Sequence, residues 1–252
     1  MCHRFITLSR QETEQVAHEL VAPGAIASAP AWREGTNSAR SETKAFPGSH
    51  VGVFVAQDEL LAGCAASDDM LLKPHEGKSA GQLELSVTDA LWGVSFDWSD
   101  KPVINARIEK AVIDGSVWNK IAATGRCIVP AWGFFEPHQR ERVQSPRTER
   151  FVKRQYLFSD SSGMPLLLAG LFIDGAFAII TTEPNSTVAP VHNRMPLVLA
   201  PTQIPLWFSS RWNLLAGCDS VDLVSEPEDR ALGTAESDKP AEHVPIQESL
   251  FS

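Results

Sequence analysis

The clearest pattern in the chain is a series of short apolar runs bounded by glycine, proline and charged residues, with little helical periodicity. Arg4-Phe5-Ile6, residues 51–55 and residues 83–87 read as strands. Residues 166–173 and 176–182 are two β-rich runs joined by Asp174-Gly175, a strong hairpin signal because both turn residues tolerate positive φ. Cys127-Ile128-Val129 reads as a buried strand broken by Pro130, with Gly133-Phe134-Phe135-Glu136 as the next. Helices are fewer. Ser9 with Glu12 makes a capping box for a helix to about Leu20, with Val16 and Leu20 on one face. Ser116 caps a second helix carrying Val117, Trp118 and Ile121, which Gly125 should end in the left-handed conformation. Thr202 is expected to cap a short helix near Leu206. Residues 22–50 and 65–81 lack an apolar period and read as irregular connections. The expected fold is α+β: one domain with a barrel-like, largely antiparallel β core and peripheral helices. It should occupy residues 1–225, followed by an acidic, loose tail over 226–252.

Composition narrows the class. At 43% hydrophobic and 21% charged residues, 252 residues suit an ordinary soluble domain with a well-buried core. Neither a secretory leader nor an apolar run long enough to span a bilayer is present in the sequence. Cys2, Cys64, Cys127 and Cys218 lie far apart without a CxxC pair, so zinc ribbons and disulfide scaffolds are disfavoured. A zinc site from Cys2, His3 and His192 has no supporting spacing, and no metal or cofactor is expected. A cytoplasmic, monomeric protein with no membrane partner is the default expectation.

The net charge of −9 argues against indiscriminate nucleic-acid binding, yet it is unevenly spread. Residues 138–154 carry Arg140, Arg142, Arg147, Arg150, Lys153 and Arg154 against Glu141 and Glu149. Residues 226–242 carry Glu226, Glu228, Asp229, Glu236, Asp238 and Glu242 against Arg230 and Lys239. A basic run of this kind is as consistent with a solvated loop as with a phosphate-binding groove.

Chemistry is concentrated at the start. Removal of Met1 would leave Cys2 with a free α-amine and a thiol on one residue. Such a pair condenses with an aldehyde to an imine, to which the thiol adds, closing a five-membered thiazolidine. Elsewhere, polar groups stand in apolar company: Asn105 and Arg107 flank Ala106, Glu136 follows two phenylalanines, and His192-Asn193-Arg194 lies between apolar runs. Singly, each of these is as well explained by an edge strand, a turn or a structural hydrogen bond.

In combination they form a pattern. Trp92-Gly93, Asn105-Ala106-Arg107-Ile108-Glu109, the run from Arg126-Cys127 through Pro130 and Gly133 to Glu136, Ala169-Gly170-Leu171, Thr181-Thr182 with Asn185, and His192-Asn193-Arg194-Met195-Pro196 occur in order behind Cys2. The chain so resembles the SOS response-associated peptidase (SRAP) family, in register from Cys2 to about Phe208. The resemblance implies covalent capture of abasic sites in single-stranded or junction DNA through a Cys2 thiazolidine. It also implies loss of Met1 by self-cleavage or aminopeptidase action, peptidase or lyase activity, and association with the nucleoid when DNA is bound. By the same resemblance Cys2 is the nucleophile, Asn105 holds the amine and sugar, Glu136 moves protons and His192 assists ring opening. Arg4, Arg107 and Arg194 match positions that grip phosphates, and Trp92 is a candidate for stacking or wedging, as is Trp98.

The roles make chemical sense. A carboxylate can take a proton from the amine and return one to expel water. Imidazole titrates in a useful range, arginine forks match phosphate, and Arg4 would lower the thiol pKa if close in space. There are departures: His3 replaces a usual glycine, Trp132 a small or acidic residue and Pro137 a usual aromatic, and residues 46–55 replace a YNxAPTQ segment. The alternative function is an N-terminal-nucleophile cysteine amidohydrolase of the class II glutamine amidotransferase type, with Cys2 attacking an amide. That reading leaves the Asn105, Glu136 and His192 motifs unexplained. A catalytically silent DNA-binding module is the third.

Overall fold

The structure is a computed structural model, and it describes residues 2–21, 43–56, 83–145, 148, 150–217 and 220–228. Fourteen strands are defined among these residues, twelve of them in one mixed sheet. Its centre is a closed ring. Strands β10 (Leu166–Ile173) and β11 (Ala176–Thr182) form the expected hairpin. β11 runs parallel to β4 (Leu85–Trp92), β4 pairs with β3 (His50–Ala56), β3 with β8 (Arg126–Gln144), and β8 returns to β10. Closure removes the free edges an open sheet would present. In the hairpin turn both Asp174 (φ 50) and Gly175 (φ 74) are left-handed, the geometry that matches strand twist.

Alternation along each strand sorts the wall into two cores. Val53, Val55, Cys127, Val129, Leu168, Phe177 and Ile179 belong to one buried cluster. Their neighbours Phe54, Ile128, Leu167, Ala169, Leu171 and Ile180 belong to a second, together with Val16, Ile121, Ile204 and Trp207 of the helices. Both faces of the wall are therefore buried, which is why these strands read as continuous apolar runs rather than alternating ones. The helices are α1 (Arg10–Val21), α2 (Ile108–Ala111), α3 (Val117–Thr124) and α4 (Ile204–Trp207). Among the described residues no helix is long and apolar enough to cross a membrane.

Several elements follow the local signals. Ser9 Oγ accepts from Glu12 N–H at 3.3 Å and Glu12 Oε2 accepts from Ser9 N–H at 2.6 Å, the two halves of a capping box. Ser116 Oγ caps α3 by accepting from Asn119 N–H at 3.0 Å. Others differ. Gly125 ends α3 with φ −148, not left-handed; glycine is needed there because an added Cβ would lie 1.9 Å from the Phe172 carbonyl oxygen. Gly125→Ala is accordingly expected to lower unfolding free energy by about 3 kcal/mol, read by chemical denaturation. Pro130 does not break β8. It falls in the gap between the pairings with β3 (through Ile128) and with β1, Phe5–Thr7 (from Ala131), where a missing N–H is tolerated. Nor does Thr202 act as a cap: a 3-10 turn over Pro201–Gln203 precedes α4, and Gln203 Oε1 accepts from Ala200 N–H at 2.9 Å.

Within the expected 22–50 connection, β2 (Lys44–Ala45) pairs with β1. Residues 22–42, all of the 65–81 connection and the tail from 229 lie outside the described residues. At the carboxyl end, β14 (Leu223–Pro227) pairs with β9 (Phe151–Asp160) and so crosses the expected boundary at 225. β9 in turn pairs with the far half of β8, forming a long two-stranded arm beyond Glu136.

Candidate active site

The residues singled out as chemical converge at one end of the barrel. Cys2 precedes β1 and is fully buried, at 0% exposure. The β1–β8 ladder extends to it: Phe135 N–H donates to Arg4 O at 2.9 Å, and the Cys2 thiol contacts the same carbonyl at 3.6 Å. Asn105 opens β7 (Asn105–Arg107), which lies parallel to β11. Strand alternation sends Ala106 into the core and leaves Asn105 and Arg107 on the opposite side. There Asn105 Nδ2 donates to the Cys2 carbonyl at 2.8 Å, across 103 residues of sequence. Its Oδ1 is buried and has no hydrogen-bond partner, leaving an acceptor open at the site.

Glu136 continues β8 directly after Phe135 and is also at 0% exposure. Burial pushes its carboxyl up from an ordinary 4.5 to about 7, the range in which one group can both take and give a proton near neutrality. Its Oε2 lies 3.6 Å from His192 Nδ1, beyond a normal hydrogen bond but poised for one. His192 ends a turn in which Asn185 Oδ1 accepts from Val188 N–H at 3.0 Å and Val188 O accepts from His192 N–H at 2.9 Å. Arg194 supplies both backbone groups to the imidazole: its N–H lies 3.1 Å and its carbonyl 2.9 Å from Nδ1, so the ring's orientation is set by that turn. Burial lowers the His192 pKa, and the charges of Lys153 and His3 act in the same direction. His3 itself is exposed. The departure from glycine thus brings a second imidazole to bear on His192.

The thiol does not behave as its neighbour Arg4 suggests. Burial, followed by the nearby Glu136 carboxylate, raises the Cys2 pKa strongly, outweighing the smaller opposing influence of Arg4. The Arg4 guanidinium is committed elsewhere. It makes two hydrogen bonds to Glu228, Nη1 to Oε1 at 3.0 Å and Nη2 to Oε2 at 2.7 Å, and sits 3.9 Å over the Phe135 ring. Arg194 is likewise forked onto Glu109 at 2.6 and 2.9 Å and donates to Thr181 O at 2.7 Å. These pairs hold Glu109 below the usual carboxylate range, the Arg194 hydrogen bond being the main cause. Arg107 is exposed and in no ion pair among the described residues.

Trp92 is corrected from a stacking candidate to a core residue. It is 0% exposed, its indole N–H donates to Ile104 O at 3.0 Å, and its ring lies 4.8 Å from Phe5 and 6.4 Å from Phe177. Of the two stacking candidates it is Trp98 that is exposed, at 65%, stacked on Phe96 at the turn between β5 (Val94–Phe96) and β6 (Ser99–Val103). Two residues without a sequence signal also sit at the site. Lys44 and Glu228 meet at 2.9 Å across 184 residues, a distance in sequence over which no local pattern carries information. Among the described residues, no group of three or more His, Cys, Asp or Glu side chains is gathered to hold a metal.

A closed β barrel thus gathers a second-position cysteine, an open amide acceptor, a carboxyl titrating near neutrality and an oriented imidazole. The sequence profile of the SOS response associated peptidase (SRAP) family matches residues 1–232, and the chain belongs to that family. It is similar to abasic site processing protein YedK of Escherichia coli K12, at 27% identity over 162 residues, 61% of this chain and 72% of YedK. It is also similar to abasic site processing protein YoaM of Bacillus subtilis 168, at 28% over 134 residues, 48% of this chain and 55% of YoaM. A crystal structure of a phage-related protein from Bordetella bronchiseptica shares the fold with a TM-score of 0.58 at 21% identity, covering 90% of this chain and 93% of that one. A second Bordetella bronchiseptica structure aligns with a TM-score of 0.52 at 18% identity, over 90% and 99% of the two chains.

Proposed function

We propose that the protein processes abasic sites in DNA, capturing the ring-opened sugar aldehyde covalently on Cys2 once Met1 has been removed. The observation that carries this reading is the convergence on Cys2: Asn105 bonded to its carbonyl with Oδ1 left open, and Glu136 close enough for its charge to act on the thiol. The names of the curated relatives point to the same substrate. In this scheme the α-amine adds to the aldehyde carbon to give a carbinolamine, and Glu136 takes the amine's proton and returns one as water leaves. The imine so formed accepts the thiol, its sulfur bonding to the same carbon while the S–H proton passes to nitrogen, and a thiazolidine closes. Water is released, one C–N and one C–S bond are made, and no oxidant or cofactor is required. His192 serves as acid toward the sugar ring oxygen, and Asn105 Oδ1 accepts from the amine or a sugar hydroxyl.

The raised thiol pKa is compatible with this route, since an imine is electrophilic enough for a thiol that ionises only as it reacts. The test is incubation with single-stranded DNA holding one abasic site, read by intact mass and a denaturing gel. Loss of Met1 and a heat-stable adduct one water lighter than the sum of protein and DNA are expected. A protein without Met1 that forms no adduct would overturn the reading.

Recognition of a missing base rests on backbone contacts and stacking of the flanking bases. The arm formed by β8 and β9, with Glu136 at its root, supplies groups suited to the backbone. Arg140, Arg142 and Lys153 are exposed and in no ion pair among the described residues, and Arg142 stands directly opposite Lys153. Like charges held opposite destabilise a hairpin unless an anion comes between them. The arm is tied to the His192 turn by Gln139 N–H donating to Val191 O at 3.0 Å, and Lys153 is near enough to influence His192. Replacing Arg140, Arg142 or Lys153 by alanine should weaken single-stranded DNA binding irrespective of sequence. Each loss of a phosphate contact should flatten the logarithmic salt dependence of affinity by about 0.7, measured by anisotropy across a salt series.

A further inference from the structure

Beside Cys2 lies an anion site that is already filled. The Arg4 fork and Lys44 Nζ both grasp the Glu228 carboxylate, at 2.7 to 3.0 Å, and both cations lie over the Phe135 ring, at 3.9 and 5.3 Å. The side chains are only 18% (Arg4), 34% (Lys44) and 20% (Glu228) exposed, so the cluster is partly shielded from solvent. Two cations hold one carboxylate, which leaves one positive charge in surplus. The backbone of Arg4 is bonded to Phe135 and touched by the Cys2 thiol, so the cluster is continuous with the candidate active site. Glu228 is delivered there by β14: Pro227 lies opposite Tyr156, and Tyr156 lies opposite Glu136.

We propose that Arg4, Lys44 and the Phe135 ring form a phosphodiester-binding socket beside Cys2, and that Glu228 occupies it as an intramolecular stand-in for phosphate until DNA displaces it. This rests on the DNA-capture reading and deepens it. A carboxylate and a phosphodiester each present two oxygens to a guanidinium fork, so the same donors accept either in turn. A tethered competitor acts at high effective concentration and lowers apparent affinity for every DNA without altering the socket. DNA therefore binds by exchange, the phosphate entering as the carboxylate and its negative charge leave. Further backbone contacts made by the DNA offset the loss of the internal pair.

The test measures anisotropy of a labelled, undamaged single-stranded oligonucleotide, so that Cys2 chemistry plays no part. Glu228→Gln removes the charge at constant shape and should tighten binding about five- to fiftyfold, within the usual range of coupling between linked sites. Glu228→Asp, too short to reach both cations, should give a smaller gain and serves if the glutamine variant folds poorly. In an Arg4→Ala, Lys44→Ala background the gain should vanish, as a double-mutant cycle requires when the residues share one interaction. Unchanged or weaker binding by both Glu228 variants, at a wild-type melting temperature, would make Glu228 a structural brace and overturn the proposal. Wild-type protein that neither binds this oligonucleotide at low salt nor captures abasic DNA would overturn the DNA reading and the socket together. Wild-type capture with no gain in the variants sinks the socket alone.

Discussion

Cys2→Ala is expected to abolish the heat-stable adduct with abasic DNA, a loss on the order of 10²-fold or more against the assay background. Where an aminopeptidase trims Met1, alanine is small enough for trimming to continue, so the variant keeps its α-amine and loses only the thiol; intact mass checks that Met1 is gone. The amine can still condense with the sugar aldehyde, but the imine has nothing to close on and hydrolyses on heating. Borohydride should therefore trap a covalent species with the variant, whereas wild type needs no reductant. Alanine also leaves the rest of the site in place, since the Asn105 hydrogen bond goes to the Cys2 backbone carbonyl and not to its side chain. A heat-stable adduct persisting in Cys2→Ala would mean that another group closes the ring, and the assignment of Cys2 would fail. Absence of both the adduct and the trapped imine would place the defect earlier, in amine exposure or DNA binding.

Glu136→Gln should act on rate and on stability in opposite directions. If Glu136 is the proton carrier proposed for imine formation, its loss slows adduct formation about 10²- to 10⁴-fold. The wild-type rate should rise with pH through about 7 as the carboxylate forms, and the variant's profile should lose that step. Stability follows the sign of the shift. The folded-state carboxyl titrates at about 7 and the unfolded one near an ordinary 4.5, so the folded state holds the proton longer. Its contribution is fully present below the unfolded value and is lost as pH rises to about 7. The neutral amide escapes that loss, so above pH 7 the variant should be more stable than wild type by about 3 kcal/mol at most. Below pH 4.5 the two should be alike. Urea denaturation at pH 4.5 and 8 reads both arms, and a variant destabilised at pH 8 would show that the buried carboxylate is held by favourable pairing instead.

Much of this molecule is legible one stretch at a time, because the interactions concerned are local. The capping box at Ser9 and Glu12, the Ser116 cap and the Asp174-Gly175 turn are decided by residues within three or four positions of each other. The order of short motifs behind Cys2 likewise sufficed to point to the family, and it nominated Asn105, Glu136 and His192 as candidates. Where a local rule failed, a distant partner had intervened. Pro130 is carried through β8 by strands on either side of it, Gly125 is required by the carbonyl of Phe172, and Trp92 is claimed by Phe5 and Phe177 for the core.

Which residues are the candidates for the chemistry was thus readable from the sequence alone; what electrostatic state they are in was decided by the tertiary structure. Arg4 lies two positions from Cys2 and on that ground should favour the thiolate, but burial of the thiol and the Glu136 carboxylate, contributed by a strand more than a hundred residues away, override it. The cation itself is taken by Glu228, which lies 224 positions further along the chain. Burial and charge pairing depend on everything within a few ångströms, and in a closed barrel those neighbours come from strands remote in sequence, so no linear pattern records them.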